Sequence, residues 1–120
     1  VTEAIDDPVD PGGLMQEIDT VLREFTGRKA LFTSIDIANE VKRRGTWIPN
    51  RDVALYMRQH ELLAPGGDYL MTLTTVSLRD GRPVEAYVYH PAGSPVTEYG
   101  EILQSAMSPQ EFAALHPPGS

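Results

Sequence analysis

Cysteine is absent from the 120 residues, which removes a disulfide framework, a thiol nucleophile and every thiolate metal or iron–sulfur site in one step. Long apolar runs are absent too: no stretch approaches the roughly 18 residues that a membrane span needs. The chain begins acidic where a signal peptide would be basic, so the expected location is cytoplasmic, unless the chain is a processed or trimmed piece. Positive charge is scarce, with 10 Lys and Arg against 17 Asp and Glu, a formal net charge of -7. Taken as an average, that balance argues against nucleic acid, because a polyanion is drawn by positive potential. What is present is 41% hydrophobic and 22% charged, the make-up of an ordinary globular domain, and the length suits one domain rather than two.

The charge average conceals an uneven layout. Residues 1–27 hold seven acids and one base, whereas residues 28–60 hold three acids and seven bases. Residues 61–90 return to four acids and two bases, and residues 91–120 carry three acids and no base. An anionic partner would therefore have to meet the middle of the chain. The acidic start, with Glu3, Asp6, Asp7 and Asp10, reads as a solubilising arm or as a DNA mimic competing for that basic middle.

Proline sets the boundaries. Seven of the ten prolines fall in residues 1–13 or 91–120, where regular structure cannot run far. The expected organisation is a flexible acidic arm at 1–13, a folded domain at 14–90, and a Pro-rich linker with a short helical tail at 91–120.

Within the domain, Leu14, Ile18, Val21, Leu22 and Phe25 recur at spacings of three and four and predict a helix ending near Gly27. Ala30 to Thr33 is long enough only for a stub of strand. Thr33 or Ser34 can cap a second helix, with Asp36 in its first turn and the basic Lys42-Arg43-Arg44 before the stop at Gly45. Ile37, Ala38 and Val41 face inward. After Trp47-Ile48-Pro49, Asn50 reads as the cap of a third helix to about His60, with Val53, Ala54 and Met57 inward. Tyr69–Ser77 and Val84–Tyr89 have strand composition. Asp80-Gly81 between them suits a two-residue hairpin turn, which sets Arg79 against Arg82, Ser77 against Val84 and Leu73 against Val88 unless a bulge shifts the register.

The expected fold class is α+β: three helices, then a two-stranded antiparallel hairpin, then a helical tail. Over residues 14–90 this order resembles the winged helix-turn-helix superfamily. The residues carrying the resemblance are Ser34-Ile35-Asp36-Ile37-Ala38-Asn39-Glu40-Val41 as support helix, Asn50-Arg51-Asp52-Val53-Ala54-Leu55-Tyr56-Met57-Arg58 as recognition helix, and Arg79-Asp80-Gly81-Arg82 as wing tip. The resemblance implies binding of double-stranded DNA, the third helix in the major groove and the wing on the backbone or minor groove, as in a transcriptional regulator.

Helical rotation supports the same reading from the residues. It turns Arg51, Leu55, Arg58 and Gln59 outward, and Arg and Gln are suited to bidentate contacts with base edges. Lys42, Arg43 and Arg44 end the support helix, where they could reach phosphates or simply complement the helix dipole. Two arginines facing each other on a hairpin repel, and a phosphate or a narrow minor groove would relieve that. The alternative is that Asp80 screens both, or that water solvates the tip. The candidate DNA-binding set is therefore Arg43, Arg44, Asn50, Arg51, Arg58, Gln59, Arg79 and Arg82.

Other groups point away from chemistry. His60, His90 and His116 lack metal-ligand spacing, so no metal or other cofactor is expected, and His60 reads as a helix-end residue or a phosphate contact. Asp36 and Glu40 fit a solvated helix face better than an acid–base couple. Gly66-Gly67 lacks the lysine and hydroxyl of a phosphate loop, and Trp47 is expected to be buried between helices. No local Ser, His and carboxylate grouping suggests an enzyme.

The tail carries a capping box, Ser108-Pro109-Gln110-Glu111, ahead of Phe112 to Leu115. With Tyr99, Ile102, Leu103 and Met107 it is too apolar for a bare linker, so it either packs back on its own domain or joins a homodimer on paired half-sites. A second functional class stays open, a winged-helix adaptor that binds another protein and no DNA. Exposed aromatics would favour the adaptor, and arginines gathered on one face would favour DNA.

Overall fold

The computed structural model describes residues 14–99 and 103–117. The expectations placed on the arm, with Glu3, Asp6, Asp7 and Asp10, and on Ile102 lie outside the described residues. The architecture is α+β: α1 (Leu14–Gly27), α2 (Ser34–Arg43), α3 (Asn50–Arg58), β1 (Tyr69–Ser77), β2 (Pro83–Pro91) and α4 (Pro109–Leu115), with single 3-10 turns at Glu61–Leu63 and Val96–Glu98. That layout is compatible with a winged helix. No described helix is long and apolar enough to cross a membrane.

The three helices pack on one core. Ile18, Val21 and Leu22 from α1, Ile37, Ala38 and Val41 from α2, and Val53 and Met57 from α3 are all buried there with Phe32 and Ile48. Phe32 is the hinge of this core. Its backbone pairs with Tyr89 through two hydrogen bonds of 3.1 and 2.8 Å, so the expected stub is a one-residue bridge that adds a third edge to the hairpin. Its ring stacks on Tyr89 at 5.5 Å and meets Phe25 edge-on at 5.7 Å. Offset and edge arrangements of this kind add to the burial of the rings.

Helix ends explain why the elements stop where they do. Thr33 caps α2 in a reciprocal box with Asp36. At the other end Gly45, with φ of +105°, reverses the chain, and Gly45 and Thr46 donate to the carbonyls of Lys42 and Val41. A residue with a side chain would strain at that angle. The same pair of bonds closes α1, which ends at Gly27 as expected, and there the left-handed residue is Lys29 at φ of +56°. Asn50 is not the cap of α3. The helix begins at Asn50 itself behind Pro49, and the Asn50 side chain instead accepts a 2.6 Å bond from Lys42 Nζ.

The hairpin register differs by one residue from the two-residue-turn expectation. Val76 pairs with Val84, Leu73 with Tyr87 and Ser77 with Pro83. Leu78 and Arg82 close a three-residue loop, in which Gly81 lies at φ of +89° and donates to the Leu78 carbonyl at 2.9 Å. This is a turn followed by a glycine bulge, the other loop that an Asp-Gly pair supports.

Register decides the faces. One face, containing Val76, Val84, Ala86 and Val88, packs against Leu31 and the chain after β2, where Val96, Tyr99 and Leu103 complete a second apolar cluster. The other face starts in the main core at Tyr69 and Tyr89 and continues outward into Met71, Leu73 and Tyr87, which stay exposed.

The tail lies against its own domain. Leu103 N–H donates to Ser77 O at 2.8 Å, and the Tyr99 hydroxyl donates to Asp36 at 2.9 Å. Asn39, buried in α2, gives its amide NH2 to Ser105 O and accepts from Met107 N–H, both at 2.9 Å. The expected capping box at Ser108 and Glu111 opens α4, and His116 at its far end donates to the Lys42 carbonyl at 2.9 Å.

Candidate nucleic-acid interface

Helix α3 turns its buried side, Val53 and Met57, into the core, with Ala54 half-buried. At about 100° per residue the opposite side is then Arg51, Leu55, Arg58 and Gln59, and all four are exposed. Arg58 also borders a small cleft shared with Ala54, Met71, Tyr87 and Tyr89. The outward stripe of α3 and the open face of the hairpin therefore adjoin.

The basic end of α2 is arranged differently from what the sequence suggests. Lys42 is buried, its ammonium 4.5 Å from the Trp47 ring centre and bonded to Asn50, and this desolvation pushes its pKa down. It is not placed to reach a phosphate. Arg44 is clamped by Glu24 at 2.6 Å and Glu40 at 2.9 Å, which together raise its pKa, and Arg43 bonds to Glu40 at 3.0 Å. Burial opposes ionisation of Glu40, yet its two arginines win and leave the carboxyl below its ordinary value. Asn50, tied to Lys42, is half-buried.

At the hairpin tip the shifted register undoes the expected face-to-face pair of arginines. Arg82 folds onto Asp80 through a 2.7 Å ion pair, and the Arg82 backbone N–H, with that pair adding to it, lowers the Asp80 pKa. Arg79 takes no part in that pair and, with Arg43, borders an open groove whose lining includes Glu111 as well as Leu103, Met107 and Leu115. Among the described residues no ion pair engages Arg51, Arg58 or Arg79. The eight candidates thus divide into Arg51, Arg58 and Gln59 together on α3, Arg79 and Arg82 at the tip, and Arg43, Arg44 and Asn50 in contacts around the end of α2.

Each histidine is hydrogen-bonded within the fold. His60 accepts from Leu62 N–H through Nδ1, which leaves its Nε2 proton facing Asp19 at 2.6 Å. Asp19 is held below its ordinary pKa chiefly by its bond to Arg23, with His60 adding to the effect. His90 bridges Thr72 and Ser94 at 2.8 Å each. Trp47, expected to be buried, is 38% exposed; it lies edge-on to Phe112 at 5.4 Å, so α4 covers one side of it.

Leu55 was legible as an outward residue from helical rotation, but Met71, Leu73 and Tyr87 were not. Both faces of β1 carry apolar or β-branched residues, so alternation cannot tell which face the tail covers. Comparison with protein-family models, with curated proteins and with solved structures finds no match to this chain.

Proposed function

We propose that the protein binds double-stranded DNA, as a transcriptional regulator of winged-helix type, with α3 in the major groove and the hairpin beside it on the backbone or minor groove. The observation that carries this reading is the outward face of α3, where Arg51, Arg58 and Gln59 stand exposed and neither arginine is neutralised by a carboxylate among the described residues. Such side chains reach base edges, while Arg79 is free for a phosphate. Arg43, Arg44 and Arg82 contribute only by exchanging a carboxylate for a phosphate, which gains less than binding a free cation. A homodimer on paired half-sites would meet through the outer side of the tail, where Leu115 is exposed, and sedimentation of the protein tests for it.

The test is fluorescence anisotropy of a labelled duplex at several salt concentrations. Each neutralised phosphate contributes about -0.9 to the slope of log affinity against log salt. With so few free arginines the slope should be shallow, about -3 or less in magnitude. An absence of binding at low salt rejects the proposal.

One observation favours a second reading. Leu55, Met71, Leu73 and Tyr87 are each 45 to 50% exposed, and Met71 and Tyr87 share a cleft with Arg58 of α3. Surfaces of that kind suit a protein partner, and the adaptor reading gains if duplex binding fails.

A further inference from the structure

We infer that Leu55 is a specificity-determining residue that reads the C5 methyl group of a thymine lying between two guanines, about three base-pair steps apart, read by Arg51 and Arg58. The inference rests on the DNA reading above and adds what α3 would recognise.

Three facts place Leu55. Arg51, Leu55 and Arg58 stand at positions i, i+4 and i+7, which puts them within an arc of about 60° on the helix. Leu55 lies near the middle of the outward face, opposite the buried Val53 and Met57, and half of its surface is open. It is the only large hydrophobic exposed on α3 among the described residues. From Arg51 to Arg58 the helix rises about 10 Å, close to three base-pair steps of about 3.4 Å.

Chemistry then assigns each position. An arginine pairs bidentately with guanine O6 and N7, and an apolar side chain has one distinctive partner in the major groove, the thymine methyl. A leucine set between two arginines would sit badly against a phosphate or an amino group, because it removes their water and offers no hydrogen bond in return. Against a methyl it excludes water from apolar surface on both sides. The Glu24 and Glu40 pairs that occupy Arg44 leave no comparable free arginine at the end of α2, so base reading falls to α3.

The experiment selects duplexes from a random pool with the wild-type protein. Each dT of a selected site is then replaced by dU, which lacks only the methyl. One replacement is expected to weaken binding about fourfold, the worth of a single buried carbon. Leu55→Ala, an exposed change compatible with the fold by circular dichroism, should weaken binding to the dT site by a similar factor and be indifferent to dU. A selected site without thymine at the α3 step, a wild-type protein insensitive to every dU, or a Leu55→Ala protein that keeps the sensitivity each overturns the inference while leaving DNA binding standing. A pool that yields no bound duplex at low salt overturns the DNA reading and this inference together.

Discussion

Asn39 shows how one residue can join distant parts of this chain. It lies inside α2, buried, and satisfies both ends of its amide on the tail, at Ser105 and Met107. Asparagine is a poor helix residue, and its usual defence is a local bond to the backbone; here the partners lie more than sixty positions away. Asn39→Ala should therefore cost about 1 kcal/mol, the net worth of a typical hydrogen bond, because Ser105 is exposed and Met107 half-buried, so water can take up part of the loss. Urea unfolding checks the loss, and faster amide exchange at Met107 checks its place. An unchanged midpoint would mean that the tail is not held through α2. Lys42 makes the complementary point. In sequence it belongs to a basic cluster, and only its burial against Trp47 and Asn50 takes it away from that surface.

At the scale of elements, the helices were legible because their apolar residues repeat with the helical period, and α1, α2 and α3 lie where that period places them. Ends and register were harder to read for a physical reason. Asp80-Gly81 is compatible with two loop lengths, and the chain adopts the one that leaves Gly81 as a bulge, moving every cross-strand pair by one residue. The face-to-face arginines vanish with that shift. α1 does end at Gly27 as expected, and the left-handed position that closes it falls on Lys29. A lysine pays conformational strain there that glycine does not, so Lys29→Gly is expected to raise stability by up to about 1 kcal/mol. Thermal and urea unfolding would register it, and a destabilised variant would show that the Lys29 side chain has a stabilising role outweighing its backbone strain. The tail's course was open in the sequence, since its apolar residues suit a neighbouring copy as well as its own domain. Its described part lies along β1 and α2.

For the whole molecule, the net charge of -7 and the pairing of cations act together. Most acids lie outside residues 28–60, yet Glu24 and Asp80 from outside that stretch, and Glu40 from within it, reach arginines of the candidate interface and occupy them. What survives is narrow: Arg51 and Arg58 on α3, next to the open hairpin face, and Arg79 at the tip. A phosphate backbone approaching from that side would meet Arg51 and Arg58, but also the exposed carboxylates of Asp52 on α3 and Glu85 on the hairpin, so the attraction there is modest. The most direct measurement is therefore an NMR titration of the wild-type protein with duplex DNA at low salt, following backbone amides. Binding as proposed moves the resonances of residues 50–59, of the hairpin face around Met71 and Tyr87, and of the 79–82 tip, and leaves those of α1 unmoved. Shifts centred on α1 or α4, or none at all with duplex in excess, would contradict it.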